Sequence, residues 1–149
     1  LRDAEKAAEI FGFELHSREI DRSKEFRRSF REVSRKVDAF WVLNDPVVYT
    51  LDNMDWLKIR CLKQNLPCIG QSRNIVELGL VLAINPDMAN MGAQAASLAR
   101  NMIARTQQPR GIGVMDPLGT QIYINRSTAK RIGLELDQSS LDMATLVID

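Results

Sequence analysis

Histidine is nearly absent from this sequence: His16 is the only one in 149 residues. Protein zinc sites draw on several His or Cys ligands, and serine hydrolases need a His base beside the nucleophile. Neither chemistry is easily built here, and no metal or cofactor is expected. His16 itself reads as an exposed strand residue. Cysteine is scarce too, with only Cys61 and Cys68. Their spacing across a helix end and a strand start fits no recognised disulfide framework, so two separate buried thiols are expected. Long apolar runs are missing. The stretch Leu78–Ile84, interrupted by Gly79, falls far short of the ~20 residues of a membrane helix, so no transmembrane segment is expected. No charged, apolar and small-residue series of the export-signal kind opens the sequence. Finally, 20 Lys and Arg against 19 Asp and Glu leave a net charge of +1. A nucleic-acid binder or a binder of anionic membranes would show a strong overall field. Partners must therefore be argued locally.

What is present suits one α/β domain. The length matches a typical domain and 45% of the residues are apolar, enough for a real core. Ala4, Ala7, Ala8 and Phe11 repeat at helical spacing and Gly12 follows, predicting a helix over 2–11 with a left-handed cap. Glu14–Ile20 predicts an edge strand. Phe26, Phe30, Val33 and Val37 trace a helical stripe through the charged segment Arg22–Lys36. The apolar run Asp38–Asn44 has the length of a parallel strand covered on both faces. A helical stretch then runs from Pro46 to Asn65, with a break expected near Asp52–Asp55.

The same rhythm continues to the end. Strands are expected at Pro67–Gly70 and Leu80–Ile84, with a short helix at Asn74–Leu78 between them and a long helix over Asp87–Arg105. Thr106–Gly111 reads as a connector. Gly111–Met115 and Gln121–Asn125 are strand candidates, Ser127–Ile132 a short helix before Gly133, and Ser140–Val147 a last helix. Strands alternating with helices imply a three-layer sandwich around a mostly parallel sheet with right-handed crossovers.

In such sheets, ligands bind beyond the carboxyl ends of the strands, where helix amino termini and loop amides converge. Asn44 and Asp45, then Gln71, Ser72 and Arg73, then Asn85 and Asp87 follow the three successive strands. Each group is equally a helix-capping sequence, because Asn, Asp and Ser accept hydrogen bonds from orphan helix amides. The stretch Arg18–Lys36 holds eight basic and four acidic residues. Interleaved at helical spacing with no exposed aromatic for stacking, it reads as a solvated helix face and not as a nucleic-acid surface. Gly111-Ile-Gly113 lacks the third glycine of a dinucleotide loop. On the long helix, Met88, Met91, Leu98 and Met102 form an apolar stripe, with Gly92, Ala96 and Ala99 permitting close approach of another backbone.

Four segments in order carry a resemblance. They are Val37-Asp-Ala-Phe-Trp-Val-Leu-Asn-Asp45; Leu66-Pro-Cys-Ile-Gly70 with Val76-Glu-Leu-Gly79; Asp87-Met-Ala-Asn-Met-Gly92; and Gln121-Ile-Tyr-Ile-Asn125 followed by Ala129-Lys-Arg-Ile-Gly-Leu134. The chain resembles the C-terminal portion of the ABC-transporter substrate-binding family, whose members have the type I periplasmic-binding-protein fold. That resemblance implies a two-lobed protein closing on a small polar organic solute, which it hands to a membrane permease in the periplasm or another extracytoplasmic space. Residues 1–149 would form the C-terminal solute-binding lobe. Residues 87–105 would form a helix crossing toward an N-terminal lobe, and 106–149 a returning segment. The implied ligand contacts are Asn44, Asp45, Ser72 and Asp87. Ser72 stands where the family commonly has an acidic residue, and Ile84 where an aromatic is often found, which argues against an amino-acid ligand.

A ligand-sensing domain of a signalling protein with the same fold is the alternative. An enzyme is not expected, because the only candidate acid–base pair is Asp45 with Asp87, which a binder of polar ligands needs equally. The exposed methionine stripe and open strand edges predict that the chain on its own pairs as a homodimer.

Overall fold

The computed structural model describes residues 2–104 and 108–149. Helix α1 (Arg2–Phe11) carries Asp3 and Glu5 in its first turn, where negative charge meets the positive end of the helix dipole. It stops at Gly12, whose φ of +73° is open to a residue without Cβ. The Phe13 amide closes the cap on the Ala8 carbonyl at 2.8 Å. A 3-10 turn (Ser23–Glu25) leads into α2 (Phe26–Val33), and β1 (Phe40–Trp41) follows. Then come α3 (Leu51–Gln64), β2 (Cys68–Gly70), α4 (Arg73–Leu78), β3 (Leu82–Pro86) and α5 (Met88–Ile103). The chain ends with β4 (Thr120–Asn125), α6 (Arg126–Arg131), α7 (Gln138–Asp142) and β5 (Leu146–Ile148).

The five strands lie in sequence order in one sheet. β1, β2 and β3 run parallel, β3 and β4 pair antiparallel over Leu82–Pro86, and β4 and β5 are parallel again. This is the mostly parallel, helix-flanked α/β sheet expected from the alternating pattern. Side chains alternate across it. Ala83 is buried in the larger core, with Phe30, Val42, Leu57, Cys68, Val76 and Tyr123 among its members. Its neighbour Leu82 packs on a second cluster formed by Val81, Ala129 and Ile132. Asn125 joins the two halves: its side chain donates to the Val76 carbonyl at 3.0 Å and caps α6 by accepting from the Thr128 amide at 2.7 Å.

Several expectations are corrected. Glu14–Ile20 forms no strand, because no neighbouring strand among the described residues pairs with it. His16 is exposed, with Nε2 3.2 Å from Glu14 Oε1. Gly111–Met115 is likewise unpaired and begins in a short 3-10 turn (Pro109–Gly111). Ser140–Val147 is no single helix: α7 ends at Asp142, and β5 takes the apolar Leu146–Ile148 alongside β4.

The segment from Pro46 is helical only from Leu51, and no break occurs at Asp52–Asp55. Before it, the Asp45 carbonyl accepts from Val48 and Tyr49 in a turn, and Thr50 caps the helix through the Asn53 amide. Buried Asn53 donates to Ser23 Oγ at 3.0 Å and to the Val48 carbonyl at 3.1 Å, which fixes that turn. Cys61 and Cys68 are not separate thiols but a disulfide. Asn65 ends α3 in the left-handed conformation (φ 50°) and reverses the chain, so β2 starts beside the last turn of α3 with the two Cα atoms 6.1 Å apart. Residues 106 and 107 of the expected connector, and residue 105 at the end of the expected long helix, lie outside the described residues.

Candidate functional site

Parallel β1, β2 and β3 carry their following loops to one edge of the sheet. Asn44 and Asp45 follow β1, Gln71 and Ser72 follow β2, and Asp87 follows β3. Two hydrogen bonds link the first two loops. Gln71 Oε1 accepts from the Asn44 amide at 2.9 Å. The Tyr49 hydroxyl lies 2.9 Å from Ser72 Oγ. Ser72 precedes α4 without capping it, so its hydroxyl serves Tyr49 and not the helix. Asn44, Asp45 and Ser72 thus belong to one connected group.

Asp87 is held differently. Its Oδ1 accepts from the Ala89 and Asn90 amides at 2.9 and 3.1 Å, and its Oδ2 from Asn90 Nδ2 at 3.0 Å. Its own amide donates to the Gly119 carbonyl at 3.1 Å. These bonds make it the cap of α5 and tie it to the segment entering β4. No described hydrogen bond joins it to Asn44, Asp45 or Ser72. Asp45 is also engaged locally, with Oδ1 accepting from the Val47 amide at 2.7 Å.

Three further groups at this edge stand outside the four implied contacts; Gln71 and Asn85 were read from sequence as strand-end residues, and Tyr49 was not. Gln71 was visible in its loop, but only the folded chain shows that it bridges to Asn44. Tyr49 sits in the turn before α3, where nothing in its spacing signals a hydroxyl reaching Ser72. Asn85 has a buried Oδ1 with no hydrogen-bond partner among the described residues, while its Nδ2 donates to the Pro86 carbonyl at 3.0 Å. It lies in register with Gln121 of β4, whose Oε1 accepts from the Tyr123 hydroxyl.

The family described as ABC transporter substrate binding protein matches this sequence over residues 1–148. The chain belongs to that family. Three solved structures share the fold of this substrate-binding family member. One is an ABC domain in complex with L-Trp from Streptococcus pneumoniae, 19% identical, with a TM-score of 0.74 over 99% of this chain and 49% of that one. Another is a conserved domain protein from Vibrio cholerae, 20% identical, with a TM-score of 0.73 over 98% and 48%. The third is the ligand-free, open form of a substrate-binding protein with adhesive properties from Clostridium difficile, 19% identical, with a TM-score of 0.72 over 99% and 48%. The chain therefore spans about half the length of the structures it matches. Comparison with curated protein sequences gives no match. No helix among the described residues is long and apolar enough to cross a membrane, and no group of three or more metal-binding side chains occurs among them.

The capping role of Asp87 separates two substitutions. Asp87→Asn keeps an oxygen acceptor for the Ala89 and Asn90 amides, and the melting temperature is expected to hold. Asp87→Ala removes the acceptor and is expected to cost about 1 kcal/mol. A thermal melt of both variants checks this. Equal losses in the two would mean that the charge, and not the cap, matters for stability.

Proposed function

We propose that this chain is one lobe of an extracytoplasmic solute-binding protein that delivers a small polar organic ligand to an ABC permease. Family membership over residues 1–148 carries the reading. The ligand is held between this lobe and a second one by hinge closure, without chemistry. On this lobe it meets Asn44, Asp45, Ser72 and Asp87 at the carboxyl edge of the sheet. Asn85 supports the placement: a buried acceptor left without a donor costs about 1–3 kcal/mol, and a ligand N–H or O–H at this edge would supply one.

The long helix supports the two-lobed arrangement. None of the described residues of α5 is buried. Met88 is exposed and Met91, Leu98 and Met102 are half-buried; of these, Met91 and Leu98 line a shallow groove with Ile112, Met115 and Pro117 of the returning segment. We assign residues 87–105 to a crossing between lobes and 106–149 to the return, and the same apolar face to a homodimer contact when the chain is isolated.

The test is mass spectrometry of small molecules extracted from the full-length protein, followed by calorimetry with the compound found. Asp45→Ala and Asp87→Asn are expected to weaken its binding about ten-fold or more, since a hydrogen bond to a charged group contributes roughly 1.5–3 kcal/mol. Unchanged affinity in both variants would reduce the two carboxylates to caps and remove them from the site.

A further inference from the structure

The strongest feature left unused by solute binding lies on the far helices. Trp56 of α3 packs on the core, meeting the Phe30 ring at 5.4 Å and the Phe26 ring at 6.3 Å in T-shaped contacts. Three guanidinium groups gather on the indole: Arg60 at 5.2 Å from the ring centroid, Arg27 at 5.5 Å and Arg31 at 5.8 Å. Cation–π attraction holds each of them there, although the three repel one another.

The nearby carboxylates offset this charge only in part, at Arg27, which pairs with Asp52 at 2.7 Å. Arg22 binds Glu25 and holds its carboxyl below the usual carboxylate range. Glu32 is taken by Arg28, and Asp52 by Arg27. Arg31 and Arg60 have no carboxylate within 4.0 Å among the described residues. The stripe has a second component. Trp56, Ile59, Arg60 and Lys63 recur at i, i+3, i+4 and i+7 on α3, and Ile59 is half exposed at 51%. An exposed aliphatic among cations, with the indole behind them, suits a helix face that rests on a lipid headgroup layer. The patch shares no residue with the groove beside α5 or with the groove between residues 15–18 and α2. The net charge of +1 does not argue against it, because headgroup attraction falls off within a Debye length and acts on the local cluster.

We infer that the Arg27, Arg31 and Arg60 cluster around Trp56, with Ile59 and Lys63, is a docking surface for an anionic phospholipid membrane. This goes beyond solute binding and does not depend on it. The full-length protein is tested by co-sedimentation with vesicles of mixed phosphatidylglycerol and phosphatidylcholine against vesicles of phosphatidylcholine alone. Binding to the mixed vesicles only is expected. It should be lost as salt rises from about 0.01 M to about 1 M, which shortens the Debye length from about 30 Å to about 3 Å.

The paired substitution Arg31→Gln with Arg60→Gln is expected to weaken binding about thirty-fold, from about a five-fold loss per surface cation. Arg126→Gln with Arg131→Gln changes net charge equally on α6 and is expected to leave it unchanged. Ile59→Ser removes the exposed aliphatic without changing the charge of the patch and should weaken binding in the same direction, so the inference stays testable if the first pair fails to fold. Absence of vesicle binding at low salt overturns the inference. So does an equal loss in the α6 pair. Binding to soluble polyglutamate without vesicle binding would also overturn it, and would assign the patch to an acidic protein.

Discussion

Phe30→Ala is expected to lower the stability of the chain by about 3–5 kcal/mol, the range for deleting a buried phenyl group. Phe30 is 1% exposed. Its ring meets Phe40 of β1 at 4.8 Å, Trp56 of α3 at 5.4 Å and Phe26 of α2 at 6.4 Å. It therefore fills the junction of two helices and the first strand of the sheet. Removing it leaves a cavity walled by rings that cannot collapse into the space without leaving their rotamers. Part of the loss is the transfer term of the ring, and the rest depends on how far α2 can settle toward β1. Urea unfolding should show a lower midpoint with an unchanged slope. A loss below about 1.5 kcal/mol would mean that α2 packs loosely on the sheet. In that case Trp56 would no longer be held at the rim of the core.

The sheet was legible because its signals are local. Apolar runs of strand length stand at Phe40–Leu43, Cys68–Gly70 and Leu80–Ile84, and each is followed by turn and capping residues. β4 and the capped start of α5 were legible for the same reason. Misreadings arose where an element depends on a distant partner. Glu14–Ile20 has strand composition, but a strand exists only when a neighbour completes its ladder. Leu146–Ile148 was absorbed into a helix because three apolar residues look alike in either period, and only pairing with β4 decides. The disulfide escaped because the spacing of Cys61 and Cys68 says nothing about the reversal at Asn65 that brings them together.

At the candidate site the strand-end positions could be read from sequence, whereas the bonds between loops could not. Asn44 to Gln71 spans 27 residues and Tyr49 to Ser72 spans 23. Such contacts are set by the parallel crossovers and leave no trace in local spacing. The same holds for Arg60 meeting Arg27 and Arg31 over Trp56, where a segment read as solvated charge turns out to be organised around a ring from another helix.

Loss of the disulfide is expected to cost about 2.5 kcal/mol. The bond joins residues separated by seven in sequence, and the loop-closure entropy for a ring of that size gives this value at 25 °C. The constraint acts mainly on the unfolded chain, so the folded arrangement should survive in Cys61→Ala with Cys68→Ala. Both sulfurs sit in the larger core, with Cys61 5% and Cys68 1% exposed, so the two alanines also leave a small void that adds to the loss. The site shares in the effect. Cys68 opens β2, which lies between β1 and β3 and leads to Gln71 and Ser72. Untethering its start from α3 is expected to raise hydrogen exchange in β2 and in the loop after it before the rest of the sheet. An oxidising compartment would preserve the bond, in keeping with the extracytoplasmic placement proposed above. Urea unfolding of the oxidised protein, the reduced protein and the double variant measures the three states. Two reactive thiols per chain in the natively purified, unfolded protein, or equal midpoints for its oxidised and reduced forms, would show that the bond does not contribute to the working fold.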